Sequence, residues 1–154
     1  MGFFKTLVNN ILGTRKEYAV KDLGIFTCKV CEWWQNEHSA WWSAVQLPLY
    51  SKETTIWLEG NALAPSPQQL SDLQTMLKSW KSVILRIDSI LPNESRLAHK
   101  EEIYTSWQDK FYPEDISAMD NNSWEITFVR DDLDNYFSFI WNSKNNTMSD
   151  FTLN

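Results

Sequence analysis

The segment that decides the fold runs from Ser66 to Leu91 and reads SPQQLSDLQTMLKSWKSVILRIDSIL. Its start is typical of a helix N-terminus, because the hydroxyl of Ser66 can accept the N–H of Gln69 and Pro67 suits the first helical turn. Apolar side chains then recur three and four residues apart, at Leu70, Leu73, Leu77, Trp80, Ile84, Ile87 and Leu91. This spacing predicts a long amphipathic helix that packs on a sheet, with a break near residues 79–82.

Segments typical of strands lie on both sides of this helix. They cover residues 23–34, 41–50, 54–59, 124–128, 137–141 and 148–153. In most of them apolar and polar side chains alternate, as in a strand with one buried face. Pro92 is expected to end the long helix, residues 94–111 show a weaker helical pattern, and residues 112–119 are expected to hold one helical turn. The order predicts an α+β fold in which an antiparallel sheet of about five to six strands packs against one long and one or two shorter helices.

The first 21 residues are predicted to precede a single α+β domain over residues 22–154. Apolar side chains in this part follow helical spacing, at Phe3, Phe4, Leu7, Val8, Ile11 and Leu12. The pattern predicts an amphipathic helix over residues 3–12, ended by Gly13, and a connector after it. Such a helix can dock on its own domain, which we expect, or lie on a membrane surface. The features of a secretory signal peptide are missing, so a cytoplasmic protein is expected.

Composition and charge restrict the classes of partner. The chain has 154 residues, of which 43% are hydrophobic, which is too many for a disordered protein. Its net charge is −6, and from Pro113 onward eight acidic side chains stand against two basic ones. An acidic surface repels the phosphates of nucleic acids and attracts basic proteins. We therefore expect a protein partner with a basic surface and no nucleic acid.

No pattern of an enzyme or a metal site stands out. His38 and His99 are isolated, and four glycines in the whole chain leave little room for a phosphate-binding loop. Cys28 and Cys31 form a single C-x-x-C in a predicted strand, where residues three apart point to opposite faces, and a zinc site needs four ligands. The sequence therefore predicts no catalytic residues, no metal and no cofactor, and its reduced cysteines fit the cytoplasm.

Aromatic side chains give the first candidate binding residues. Trp42, Tyr50 and Trp57 fall on the strand faces opposite to the predicted core. Tryptophan and tyrosine often anchor protein interfaces, so these three are predicted to bind a partner. The alternative is that a helix covers this face and that all three belong to the core.

Acidic side chains give the second set, namely Glu114, Asp115, Asp131, Asp132 and Asp134. The last three lie in a predicted turn that lacks the glycine and the final glutamate of a calcium-binding loop. We expect the set to form an acidic patch that attracts a basic partner.

Several short motifs carry a family resemblance over most of residues 22–154. They are residues 22–26 (DLGIF), 57–60 (WLEG), 67–70 (PQQL), 124–128 (WEITF) and 136–139 (YFSF). With these motifs the chain resembles bacterial immunity-type domains of unknown function that are associated with polymorphic-toxin loci. The resemblance implies a protein that neutralises a toxin by direct binding.

The sequence thus leaves three hypotheses. The leading one is a non-enzymatic module that binds a basic toxin and acts as its immunity protein. The second is a domain that binds a small ligand or carbohydrate through exposed tryptophans. The third is a hydrolase whose carboxylates come from distant positions. The sequence does not determine the stoichiometry.

Overall fold

A single mixed sheet of eight strands dominates the protein. The computed structural model describes residues 13–30, 38–120, 122–132 and 134–154. The strands are β1 (Thr14–Val20), β2 (Gly24–Val30), β3 (Ser39–Gln46), β4 (Glu53–Gly60), β5 (Phe111–Ala118), β6 (Ser123–Arg130), β7 (Tyr136–Asn142) and β8 (Thr147–Leu153). They lie side by side in chain order, and every neighbouring pair is antiparallel except β4 and β5, which run parallel. The predicted antiparallel sheet of five to six strands is therefore wrong.

The helices form the crossover that the parallel pair needs. They are α1 (Pro67–Lys78), α2 (Trp80–Leu97) and α3 (Glu101–Tyr104), followed by a 3-10 turn at Trp107–Asp109. Ser66 caps α1 as predicted, since its hydroxyl accepts the N–H of Gln69 at 3.4 Å. The predicted break is confirmed at Ser79, between α1 and α2.

The expectation that Pro92 ends the long helix is wrong. Pro92 lies inside α2, which continues to Leu97. The side chain of Pro92 is exposed, and so is that of Asp88, one turn earlier. Water can therefore reach the carbonyl group that proline leaves without its helical donor.

Two of the eight strands have no clear signal in the sequence. β1 pairs with β2 along its whole length, where a connector was expected. Only Val20 of its seven residues is buried, so this edge strand shows little apolar alternation. β5 occupies the place of the expected helical turn, although it contains Pro113 and the acidic pair Glu114-Asp115. Its register with β6 shifts between Pro113 and Asp115, and a bulge of this kind accommodates a proline in a strand.

The helices pack on one face of the sheet, and aromatic side chains fill the core between the helices and that face. Trp80 of α2 stacks on Phe128 of β6, with ring centroids 6.1 Å apart. Trp107 meets the rings of Phe128 and Phe137 edge-on, at 5.5 Å each. Phe128 pairs with Phe137 across β6 and β7, so both side chains lie on the same face. The opposite face, which we call the helix-free face, is not packed against any described helix.

Some expectations concern residues outside the described ranges. They include the helix predicted over residues 3–12, its docking or membrane contact, and the position of Cys31. Cys28 lies on β2 and is buried as a free thiol. Burial raises the pKa of this thiol, against the weaker opposing effect of Lys16. Among the described helices, none has the length and apolar character needed to cross a membrane.

Candidate functional site

Two exposed tryptophans lie side by side on the helix-free face. Trp42 of β3 and Trp57 of β4 are direct cross-strand partners. Their ring centroids are 6.2 Å apart, with the ring planes tilted by 41°. The two side chains remain 42% and 39% exposed, whereas Trp41, next in the chain and on the other face, is fully buried. The alternation of the strand thus places one tryptophan in the core and its neighbour on the surface.

A single row of registered residues connects the tryptophans to both edges of the sheet. From β1 to β8 the row consists of Glu17, Thr27, Trp42, Trp57, Ser117, Glu125, Ile140 and Ser149. Along β3, the next residues on the same face are Ala40 and Ala44. These neighbours are small, which is consistent with the exposure of Trp42.

A small residue lies between Trp57 and Glu125 in this row, and we call the space over it, bounded by these two side chains, the notch. Its floor is Ser117, which pairs with Trp57 on one side and with Glu125 on the other. Adjacent strands are about 4.8 Å apart, so the strands that carry Trp57 and Glu125 are separated by about 10 Å. Asp115 borders the notch along β5, and its carboxylate accepts the hydroxyl of Ser117 at 2.6 Å. One aromatic side chain and two carboxylates therefore surround a small polar floor.

The carboxylates of this region form no ion pair among the described residues. The central strands β3 to β6 carry four acidic residues on the helix-free face, namely Glu53, Glu59, Asp115 and Glu125. None of the four forms an ion pair within the described part of the chain, where the ion pairs join Arg15 to Glu17, Lys52 to Asp131 and Arg130 to Asp132. Two of the four accept a hydrogen bond from a neighbouring side chain: Asp115 accepts from the Ser117 hydroxyl at 2.6 Å, and Glu59 accepts from Gln69 Nε2 at 3.3 Å.

The structure separates Tyr50 from the two tryptophans. Tyr50 lies in the loop between β3 and β4 and is half-buried against the core. Its hydroxyl accepts the indole N–H of Trp80 at 3.2 Å. Burial raises the pKa of Tyr50, and the bond from Trp80 lowers it to a smaller extent. This tyrosine therefore contacts the start of α2, on the side that the helices cover.

The predicted acidic set is split as well. Asp115 alone lies beside Trp57. Asp131, Asp132 and Asp134 belong to the turn after β6, about six residues or roughly 20 Å along the strand from Glu125. Asp131 and Asp132 are paired with Lys52 and Arg130, and the pKa of Asp132 is lowered by the hydrogen bond from Arg130.

Glu114 is exposed within the register shift of β5. Ser117 and Glu125 are the notch residues that sequence reasoning missed. The alternation of β6 indicated that Glu125 faces away from the core. Only the register across the parallel β4–β5 pair brings it near Trp57.

A second concave region lies at the end of the sheet, beside the N-terminal part of α1. This groove encloses about 880 Å³, and its lining includes Glu59, Gln69, Asp72, Asp120, Trp124 and Lys144. The indole N–H of Trp124 has no hydrogen-bond partner among the described residues, but its nitrogen exposes less than 1 Å². A molecule in the groove would meet amide, carboxylate and hydroxyl groups together with a similar share of apolar surface. In the described ranges no group of three or more His, Cys, Asp or Glu side chains could hold a metal ion.

Comparison with known protein-family models, with curated proteins and with solved structures found no significant match for this chain.

Proposed function

We propose that this protein is a non-enzymatic binding module that holds a basic partner protein against its helix-free face. The observation that carries the proposal is the exposed cross-strand pair of Trp42 and Trp57. Tryptophan is over-represented among the residues that dominate binding energy in protein interfaces. Two of them, adjacent and held by a sheet, offer a rigid apolar anchor.

Charge supports a basic partner. Asp115 and Glu125 flank the tryptophans without an ion-pair partner among the described residues. Uncompensated carboxylates at the rim of an apolar anchor attract a basic surface and disfavour an acidic one. The same charge opposes binding to nucleic acids, whose phosphates need basic contacts.

The role that we propose for the module is the neutralisation of a toxin in the bacterial cytoplasm. The motifs that resemble immunity-type domains support this role. The buried free thiol of Cys28 is compatible with a reducing compartment. By occupying a functional surface of the toxin, the module would block the toxin without any chemistry of its own.

The experiment compares two matched variants in partner capture and in cell protection. One is Trp42→Ser/Trp57→Ser, which removes the anchor. The other is Leu85→Ser/Leu97→Ser, which removes two exposed apolar side chains from α2, on the opposite side of the sheet. Each immobilised protein is exposed to a lysate of the native host, and each is co-expressed with the product of the neighbouring gene.

The proposal expects the wild-type protein and the leucine variant to retain the same partner and to protect the cells. The tryptophan variant should lose the partner and the protection. If the tryptophan variant retains both, or if no form of the protein retains a partner or protects, the proposal is wrong.

A second candidate is a domain that binds a small hydroxylated ligand. The groove beside α1 favours it, because amide and carboxylate side chains such as Gln69 and Asp72 are typical partners of hydroxyl groups. This candidate is tested by titrating the protein with a panel of sugars and metabolites while its tryptophan fluorescence is measured. A saturable response that Asp72→Ala abolishes would support it, and a flat response would exclude it for the panel used.

A further inference from the structure

We infer that the notch beside Trp57 receives an arginine side chain of the partner protein. The guanidinium group would stack on the Trp57 indole and donate hydrogen bonds to Asp115 and Glu125. This inference rests on the proposed function, because it names the chemical group by which the basic partner is recognised.

The shape of the notch suits one flat cation. The floor residue Ser117 is small, and its neighbours in the row are the large side chains of Trp57 and Glu125. The roughly 10 Å between their strands leaves room for a planar group between an indole wall and a carboxylate. Trp57 is 39% exposed, so part of its ring is open to contact.

The hydrogen-bonding capacity of the carboxylates also suits a donor with several N–H groups. Asp115 Oδ2 accepts the Ser117 hydroxyl, and Oδ1 accepts from no described residue. Glu125 is exposed, and its side chain forms no hydrogen bond with the described residues. Ser117 therefore orients Asp115 while leaving acceptor capacity at the mouth of the notch.

An arginine side chain fits the indole and the two carboxylates of the notch better than a lysine side chain does. The guanidinium group is planar, offers five N–H donors in a fixed fork, and stacks on aromatic faces. The lysine ammonium is a compact and strongly hydrated charge with three N–H donors and no planar face that could stack on the indole. A second copy of this chain is a poor occupant, because two helix-free faces would bring their unpaired carboxylates together.

The test uses a peptide with a single cation, so that general attraction between polyelectrolytes is avoided. Acetyl-Gly-Arg-Gly-amide is titrated into ¹⁵N-labelled protein, and the indole N–H peaks are followed by NMR. The Trp57 peak is identified by its absence from the spectrum of Trp57→Phe. Matched peptides carry lysine or citrulline, which has the shape of arginine without its charge.

Two double variants test the carboxylates. Asp115→Asn/Glu125→Gln removes both charges of the notch, and Asn can still accept the Ser117 hydroxyl. Glu101→Gln/Glu102→Gln removes two exposed charges from α3, on the helix-covered side. Near-ultraviolet circular dichroism verifies that both variants keep the native fold.

The arginine peptide should shift the Trp57 peak in a saturable way, with a weaker effect of lysine and none of citrulline. The Asp115/Glu125 variant should bind the arginine peptide at least about tenfold more weakly, as expected for the loss of charge-assisted hydrogen bonds. The α3 variant should bind it as the wild type does. Equal shifts with arginine and citrulline, or unchanged binding by the Asp115/Glu125 variant, would overturn the inference.

Capture of the partner distinguishes this inference from the proposed function. If the partner stays bound to the Asp115/Glu125 variant but is lost from Trp42→Ser/Trp57→Ser, the arginine inference is wrong and the binding module stands. If the partner stays bound to the tryptophan variant, the proposed function itself fails.

Discussion

The hydroxyl of Thr54 donates a hydrogen bond to the carbonyl oxygen of Pro113, with an O···O distance of 2.7 Å. The bond joins β4 to β5, the two parallel strands at which the halves of the sheet meet. Thr54 is fully buried, and Pro113 adjoins the register shift of β5. A side chain thus ties β4 to β5 just beyond the first registered pair of the two strands, Thr55 and Asp115.

Replacement of this hydroxyl should weaken the whole sheet. Thr54→Val keeps the shape of the side chain but leaves the buried carbonyl of Pro113 without this donor, which costs about 1–3 kcal/mol of unfolding free energy. Thr55→Val is the matched control, since Thr55 is half-buried and faces the helix-free side. Chemical denaturation measures both variants, and an equal loss in the two would contradict the role of the bond.

The adjacent residues Trp41 and Trp42 should differ strongly in their contribution to stability. Trp41 is fully buried, and its indole N–H donates to the carbonyl oxygen of Asn61 at 2.9 Å. Trp41→Ala should cost about 3–5 kcal/mol, as large truncations in a core do. Trp42→Ala loses only an exposed aromatic pair, worth about 0.5–1.5 kcal/mol. Urea unfolding compares the two, and similar losses would show that the helix-free face is covered.

Gly60 should resist any larger side chain. A Cβ atom there would overlap the carbonyl oxygen of Ala64 and lie 2.7 Å from Cα of Pro65 and 2.9 Å from Cδ1 of Trp41. Gly60→Ala should therefore cost about 1–3 kcal/mol through overpacking. Gly24→Asn is the comparison: Gly24 has a φ of +87° and open space around a Cβ, and asparagine tolerates this conformation. Thermal unfolding should give a clearly lower Tm for Gly60→Ala than for Gly24→Asn.

Tyr104 should make the stability of the fold depend on alkaline pH. Its hydroxyl lies 3.1 Å from the carbonyl oxygen of Tyr136 and 2.5 Å from that of Asn154. Burial raises the pKa of this phenol to about 12, with a further contribution from Tyr136. The unfolded chain releases the proton near pH 10, whereas the folded chain keeps it until about pH 12.

The stabilising contribution of this phenol is therefore complete below pH 10 and decreases as the pH rises from 10 to 12. Between pH 8 and 11 the unfolding free energy of wild-type protein should fall more than that of Tyr104→Phe. Tyr18→Phe, which changes an exposed tyrosine of β1, should keep the wild-type pH dependence. Equal pH dependence in Tyr104→Phe and wild type would contradict the raised pKa.

The sequence predicts those elements whose signal is local. The Ser66 cap, the apolar stripe of α1 and α2, and the alternation of β3, β4, β6 and β7 all reflect which face of each element is buried. β1 escapes prediction because an edge strand with one buried residue has no such pattern. β5 escapes because its conformation is imposed by neighbouring strands on a segment that holds Pro113 and two adjacent acids.

In the candidate site, too, some positions follow from a local sequence pattern and others depend on neighbouring strands. Strand alternation suffices to place Trp42 and Trp57 on the same face, away from the core. The position of Asp115 and Glu125 beside Trp57 depends on the parallel β4–β5 register, which the sequence does not encode locally. Asp131 and Asp132 are separated from the site by their place in the turn after β6, and their ion pairs with Lys52 and Arg130 depend on contacts that the sequence pattern does not show.

The sequential strand order also has a consequence for the path of folding. A short connection joins the strands of each antiparallel pair. The parallel pair is joined by the long crossover from Gly60, where β4 ends, to Phe111, where β5 begins. Contacts between residues close in the chain form fastest, and the entropy lost in closing a loop grows with its length. We therefore expect the two four-stranded halves to collapse independently, and their union through the crossover, with the Thr54–Pro113 bond, to be the slower step.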